Sequence, residues 1–345
     1  PPRSTLFPYT TLFRSAKLYA DHTYFDDYDP KLPFEVQVLD TGVINETGTF
    51  FGITRPRHYE KIVFSMLTRP NERMPVIMTL PAKRTGKVPA IVFLHGIGQS
   101  KGFIEEICTP FNEGGFAMAC FDQSMQGERK VKGNLLQEAI AFRQRPWKTV
   151  NDGRRLIDYL QSLPDIDPDR IYLVGASYGA ITGTTLTAFD KRIKAADLVV
   201  GGANIRVLLD APLIYNGGRE ALKNTKLWPA IHWCAKQIVA FMLKPADPMN
   251  WAPLTKGTPV LMQNGSIDTL VTPAAGEELY KYLGEPKEIR WYPCDHPGLN
   301  ESQADIIVQI LDEGLAWLSE QDRKLTGAPA PAPAATPAAG ETPAL

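Results

Sequence analysis

Three side chains in this sequence have the types and settings that acyl transfer needs. Ser177 stands in GASYG, residues 175–179, directly after the apolar run Ile171 to Val174 and before a run of small residues. A serine bounded by glycines, between a buried strand and a helix, is held at the apex of a tight turn with its hydroxyl exposed, which presents a nucleophile. His296, in DHPG, follows the alternating stretch Glu288 to Tyr292 and offers an imidazole that titrates near neutrality, as a general base requires. Asp268, in GSIDTLVTP, follows Pro259 to Gln263 and could hold that imidazole in the productive tautomer. Each has an ordinary alternative: a chance GxSxG, a solvated loop histidine, a carboxylate capping a turn. What carries the reading is that all three fall just past a strand.

A tetrahedral oxyanion needs donors, and two backbone N–H groups are the candidates. One is that of Tyr178, immediately after the serine. The other is that of Ile97 in HGIG, residues 95–98, in preference to Gly98; His95 is then structural. Trp228, Trp233, Trp251 and Tyr215 are candidate walls of an acyl pocket, with packing among themselves as the alternative. Arg143, Arg145 and Lys148 could meet an acidic substrate but read as a solvated loop and helix start. His232 and Lys236, at i and i+4, read as the polar side of an amphipathic helix. Cys294 reads as packing near His296.

These side chains need strand ends to stand on, and the sequence supplies them in alternation. Glu35 to Leu39, Tyr59 to Met66 and Pro75 to Leu80 are short alternating or β-branched runs, expected as antiparallel strands at a sheet edge. Ile91 to Leu94 and Phe116 to Phe121 are unbroken apolar runs, as in strands buried on both faces of a parallel sheet. Helices are expected over Phe103 to Asn112 and Trp147 to Leu163, and another strand over Ala195 to Val200. After that strand the alternation stops until Pro259, with an apolar helical segment around Ile231 to Leu243. A helix is expected from Pro273 and a closing one over Ala304 to Leu318. The pattern predicts a mostly parallel, doubly wound α/β sheet with antiparallel N-terminal edge strands.

The domain reading that follows has a core over residues 34–202 and 254–322, a helical cap insertion over 203–253 and an irregular arm over 16–33. Residues 326–345, rich in proline and alanine, read as a disordered tail. Thr5 to Ser15, TLFPYTTLFRS, resembles the conceptual translation of a sequencing adapter, so residues 1–15 are expected to be an artefact of a metagenomic assembly. The native start and any signal peptide would then be missing, which leaves cytoplasmic and secreted locations both open.

Composition narrows the function classes. With 37 Lys and Arg against 38 Asp and Glu, the formal charge is −1, so no global field favours nucleic acid or an anionic membrane surface. No apolar run reaches the roughly 18 residues of a membrane span. The four cysteines show no CxxC spacing, which suggests neither a zinc site nor a disulfide framework. A small-molecule ligand is expected, with no cofactor and no metal; the oligomeric state is left open.

The motifs HGIG, DQSMQGER (122–129), NDGRRLIDYL (151–160), DPDRIYLVGASYG, NGSIDTLVTP and DHPG together resemble the α/β-hydrolase superfamily of serine hydrolases, nearest to bacterial dienelactone hydrolase-like and acetyl xylan esterase-like esterases. The chain order Ser177, Asp268, His296 is the order of that class. The resemblance covers roughly residues 60–320 and implies an α/β-hydrolase fold and a metal-free carboxylic ester hydrolase using those three residues. HGIG in place of HGGG departs from the hormone-sensitive-lipase-like esterases, and serine at the elbow departs from dienelactone hydrolase itself. Tyr178 also resembles the elbow of prolyl oligopeptidase-like peptidases. A peptidase or amide hydrolase, an acyltransferase, and a non-catalytic binding protein of this fold stay open as alternatives.

Overall fold

The apolar runs become neighbouring strands because their side chains alternate between two covered faces. A computed structural model describes residues 22–50, 53–297 and 303–328. Its sheet has nine strands: β1 (Gln37–Phe50), β2 (Ile53–Arg69), β3 (Glu72–Pro81), β4 (Val88–Leu94), β5 (Ala117–Phe121), β6 (Ile166–Ala176), β7 (Ile193–Val199), β8 (Val260–Gly265) and β9 (Lys287–Tyr292). Their spatial order is β1-β2-β3-β5-β4-β6-β7-β8-β9. The first three strands pair antiparallel, β3 meets β5 antiparallel, and the rest run parallel.

Along β4, Ala90, Val92 and Leu94 point into one core while Ile91 and Phe93 point into the other; β6 does the same with Ile171 and Leu173 against Tyr172 and Val174. Helices α2 (Leu135–Ser162), α3 (Tyr178–Phe189) and α7 (Pro273–Tyr282) cover the first face. Helices α1 (Ile104–Glu113) and α8 (Ala304–Thr326) cover the second. A strand buried on both sides has no need of a polar face, which is why these runs read as continuous. Between β7 and β8 the chain forms α4 (Ile205–Leu209), α5 (Pro212–Ala221) and α6 (Trp228–Met242). Among the described residues no helix is long and apolar enough to cross a membrane. The adapter-like residues 1–15 and the Pro/Ala segment from 329 onward lie outside the described residues.

Several elements run longer than their sequence signals. The β1–β2 ladder runs from Gln37↔Ser65 to Phe50↔Ile53 with one shift of register between Val38 and Asp40, and Gly42 and Gly48 sit within it rather than ending it. Helix α8 continues past Leu318 to Thr326, where Asp322 accepts hydrogen bonds from Arg170 Nε (2.8 Å) and Nη2 (2.6 Å) and from Tyr172 (2.7 Å). The largest departure is α2, which begins at Leu135 rather than near Trp147. Its start is a capping box: the Asn134 side chain accepts from Gln137 N–H (3.0 Å) and the Gln137 side chain accepts from Asn134 N–H (2.9 Å). Pro146, just before the expected start, lies inside the helix.

The lower part of α2 is pinned by buried charge. Asp152 is fully buried between Arg69 (2.9 Å) and Arg129 (2.5 Å) and also accepts from the Thr68 hydroxyl. Glu72 joins the same two arginines and Lys148 (2.9 Å). Burial alone would push the Asp152 carboxyl up, but Arg129 and Arg69 outweigh it and hold the carboxyl below its usual range. Removing one partner of such a group leaves uncompensated charge in the interior. We therefore expect Asp152→Ala to lose about 3–5 kcal/mol in urea unfolding at pH 7. Since the folded-state pKa is depressed, that contribution is present at neutral pH and disappears as pH falls through it, so the gap between variant and parent should close on acidification. A loss below about 1 kcal/mol, or a gap that widens with acid, would refute this account.

Candidate active site

Ile97, Ser177, Asp268 and His296 each sit just past the carboxyl end of a parallel strand: β4, β6, β8 and β9 in that order. Ser177 joins β6 to α3 with φ 56° and ψ −117°, and its N–H donates to the Val199 carbonyl at the end of β7 (2.8 Å). A non-glycine residue at that φ is strained and persists only where its surroundings fix it. Two glycines allow the fixing. A Cβ on Gly179 would strike the Leu94 carbonyl at the end of β4, and one on Gly175 would strike the Gly179 carbonyl. Strand and helix can therefore close around the serine only without those side chains.

The loops after β8 and β9 bring the other two residues to it. The Ser177 hydroxyl is 3.0 Å from His296 Nε2, and His296 Nδ1 is 2.7 Å from Asp268 Oδ2. With Nδ1–H donating to the carboxylate, Nε2 is free to accept the serine proton. Asp268 is 3% exposed, and its other oxygen accepts the N–H groups of Leu270 (2.8 Å) and Val271 (2.7 Å). The capping role and the histidine-orienting role thus fall to different oxygens of one carboxylate. Such a relay can take a proton from a hydroxyl, return it to a leaving group and stabilise the imidazolium between.

Both N–H candidates for an oxyanion lack an acceptor among the described residues. Gly96 N–H donates to the Gln99 side chain (2.9 Å) and Gly98 N–H to the Gln126 side chain (2.6 Å), which leaves the Ile97 N–H between them without an acceptor among the described residues. Tyr178 N–H occupies the first position of α3, where no intrahelical carbonyl is available. Gln123 steadies the same turn by donating to the His95 carbonyl (2.7 Å). His95 is buried, which pushes its pKa down, and it lies 2.9 Å from the Gly96 carbonyl, consistent with a structural role.

The sequence reading missed three contributors. Gln123 and Gln126 belong to DQSMQGER, a motif with no assigned task until the HGIG turn is seen resting on it. Asp295 was passed over in favour of its neighbour. It accepts from Thr269 N–H (2.8 Å), the Thr269 hydroxyl (2.9 Å) and His296 N–H (2.7 Å), tying the aspartate loop to the histidine loop. Burial works against its charge, but the Thr269 and His296 N–H donors prevail and hold the carboxyl below its usual range. Burial pushes the Cys294 thiol up to about 11, so it is unsuited to act as a nucleophile.

Ser177, Tyr178, Ile97 and His296 border a cavity of about 730 Å³ roofed by Leu208, Ile214, Val239 and Leu243 from the inserted helices. The four aromatic residues expected as its walls lie elsewhere. Trp251 is buried against Phe25 and Phe189 and donates to the Pro245 carbonyl (2.8 Å). Tyr215 and Trp228 pack on each other and on His232, and Trp233 is 61% exposed on the outer side of α6. Large rings were the wrong signal, because aliphatic side chains of α4, α5, α6 and the residue that follows α6 form the roof. His232 and Lys236 both reach Asp210, at 3.0 and 2.7 Å, and brace α6 against the α4–α5 corner. Arg145, expected in solvent, borders the cavity. Among the described residues no three His, Cys, Asp or Glu side chains converge as they would on a metal ion.

The family model for acetyl xylan esterase (AXE1) matches residues 57–313. Acetyl xylan esterase 1 of Thermoanaerobacterium sp. JW/SL YS485 superposes with a TM-score of 0.61 at 20% identity, covering 85% of this chain and 91% of that one. The acetyl xylan esterase of Paenibacillus sp. R4 gives 0.61 at 18% identity, over 91% and 96%. At these identities the likeness is one of fold. YtaP of Bacillus subtilis (strain 168) is 27% identical over 157 residues, 39% of this chain and 51% of YtaP, so the chain spans about half the length of that relative.

The Asp295 brace can be tested directly. Asp295→Ala frees both loops and should lower kcat for an activated ester about 10- to 100-fold, the scale set by ångström-level misplacement of a reacting group. Asp295→Asn keeps one acceptor oxygen and should fall between variant and parent. An unchanged kcat for Asp295→Ala would show that the loops hold their positions without it.

Proposed function

The chain belongs to the acetyl xylan esterase family of carboxylic ester hydrolases, and from that premise we propose that it cleaves carboxylic esters through a covalent acyl-enzyme on Ser177. The observation that carries the reading is the hydrogen-bonded series from the Ser177 hydroxyl through His296 to Asp268, opening onto a largely apolar cavity. His296 Nε2 takes the hydroxyl proton as Ser177 Oγ attacks the ester carbonyl carbon. Negative charge gathers on the carbonyl oxygen, where the N–H groups of Ile97 and Tyr178 stabilise it. Asp268 Oδ2 stabilises the imidazolium. Collapse of the tetrahedral intermediate breaks the carbon–alkoxide bond, and His296 returns its proton to the departing alcohol. Water then loses a proton to Nε2 and attacks the acyl carbon, and Ser177 leaves with that proton, releasing the acid.

The division of labour follows from the surroundings. The serine is strained into one position and the aspartate is fixed by backbone donors, so little reorganisation is needed when charge develops. Ser177→Ala should lower kcat for p-nitrophenyl acetate by about 10⁴-fold or more with an unchanged unfolding midpoint. A fluorophosphonate should label the parent at Ser177 and leave that variant unmodified. Retention of the parental rate by Ser177→Ala would overturn the assignment. Rates on p-nitrophenyl esters against aminoacyl anilides then decide between ester and amide preference.

A further inference from the structure

The cavity beside Ser177 is apolar except for Gln99, Arg145, Ser177, Tyr178, Thr182 and His296. Arg145 is the only one of these that is permanently ionised, and no carboxylate borders the cavity among the described residues. Its side chain comes from the upper half of α2 and the residue is only 9% exposed. Neither its Nε nor its Nη2 has a well-formed acceptor; the groups it faces are the buried Tyr178 hydroxyl and, beside that, Thr149, and neither is an anion. What the guanidinium does have is the face of the Tyr178 ring, 4.1 Å away.

The other two buried arginines among the described residues are treated differently. Arg69 and Arg155 each meet an aspartate at 2.9 Å, while Arg154, which also lies over a tyrosine ring without an ion pair, is only half-buried. Withdrawing a guanidinium from water without an anion is costly, and one aromatic face recovers only part of that cost. The expense is unexplained by the fold, since α2 is already pinned through Asp152. It is explained if the missing anion arrives with a ligand. A planar guanidinium can donate two parallel hydrogen bonds to a carboxylate, the anion that fits an otherwise apolar cavity at the least cost in charge.

We propose that Arg145 binds a carboxylate carried by the substrate, so that the cavity takes esters bearing one anionic group as well as the scissile bond. The proposal rests on the esterase reading above for its chemistry, and on the unpartnered charge for its substrate class. Arg145 stacks on Tyr178, whose N–H is an oxyanion donor, so carboxylate binding is coupled to the position of the reacting carbonyl. Arg145 is thus assigned to substrate recognition and takes no part in proton transfer.

Two ester pairs test this, one for each side of the scissile bond. On the acyl side, mono-p-nitrophenyl glutarate is compared with p-nitrophenyl valerate. On the alcohol side, 4-acetoxybenzoate is compared with its methyl ester, spontaneous rates being subtracted throughout. In one arm the parent should favour the carboxylate by about tenfold or more in kcat/KM, mainly through KM. Arg145→Met should abolish that preference and Arg145→Lys should keep part of it. Each preference is a ratio within one protein, so it is unaffected by any loss of folded material. No preference in either arm, or an equal fall for charged and neutral esters in Arg145→Met, would overturn the proposal; the latter outcome would mark Arg145 as a support for Tyr178. If no ester is turned over, the esterase reading fails on its own terms. Calorimetric titration of glutarate into the parent and Arg145→Met then decides separately: saturable binding in the parent alone supports the site, and its absence from both overturns it.

Discussion

The close approach of β4, β6 and α3 around Ser177 is the constraint on which the rest of the structure depends. Leu94 and Gly179 leave no room for a methyl group between them, nor do Gly175 and the Gly179 carbonyl. In that space Ser177 is held at positive φ, a conformation costing about 1–3 kcal/mol that only a rigid surround can sustain. The surround is the double-faced core: alternate residues of β4 and β6 lock into helices on both sides, so neither strand can shift to relax the turn. The Val199 carbonyl then takes the serine N–H and ties the turn to the next strand. Position at the nucleophile is thereby bought from packing far beneath it.

Loops cannot be fixed in that way, because they lie above the sheet with little apolar surface to bury. Here they are fixed by hydrogen bonds to one another. Asp295 joins the two loops that carry Asp268 and His296, while Gln123 and Gln126 prop the HGIG turn from the loop after β5. That last loop is itself wound around buried Asp122, which accepts from the N–H groups of Lys101 (2.7 Å) and Glu128 (2.9 Å) and leaves no space for a side chain at Gly127. Most of these bonds pair a side chain with a backbone group, so residue identity matters at one end and chain path at the other.

The parts of this arrangement that were legible in sequence are those with a strong local signature. Strands buried on both faces appear as unbroken apolar runs, and Ser177, Asp268 and His296 each follow one, so their convergence could be expected from order and place. The start of α2 was illegible because its first turns are solvent-facing and Pro146 imitates a first-turn proline; only the Asn134–Gln137 box marks the true beginning. That one misplacement put Arg145 in solvent. The tryptophans misled for a different reason: ring size signals burial but carries no direction, and Trp251 spends its bulk against Phe25 and Phe189 beneath the inserted helices. Asp295 was hidden by standing next to a residue with a more conspicuous chemistry.

The longer α2 changes how substrate choice is apportioned. The inserted helices supply the roof, but Leu208, Ile214, Val239 and Leu243 can select only for size and apolar surface. A methylene more or less in such a wall discriminates by little, whereas a site built around an unpaired polar group rejects ligands that leave it unpaired. Among the described residues that border the cavity, the one charged group comes from α2, an element of the core, and it rests on the residue next to the serine. The roof can therefore vary in sequence and still admit a ligand of similar bulk, while Arg145 cannot change without altering the surroundings of Tyr178. On the proposed reading, recognition and oxyanion stabilisation share a side of the cavity, and the polar part of specificity comes under the same rigid packing that holds Ser177.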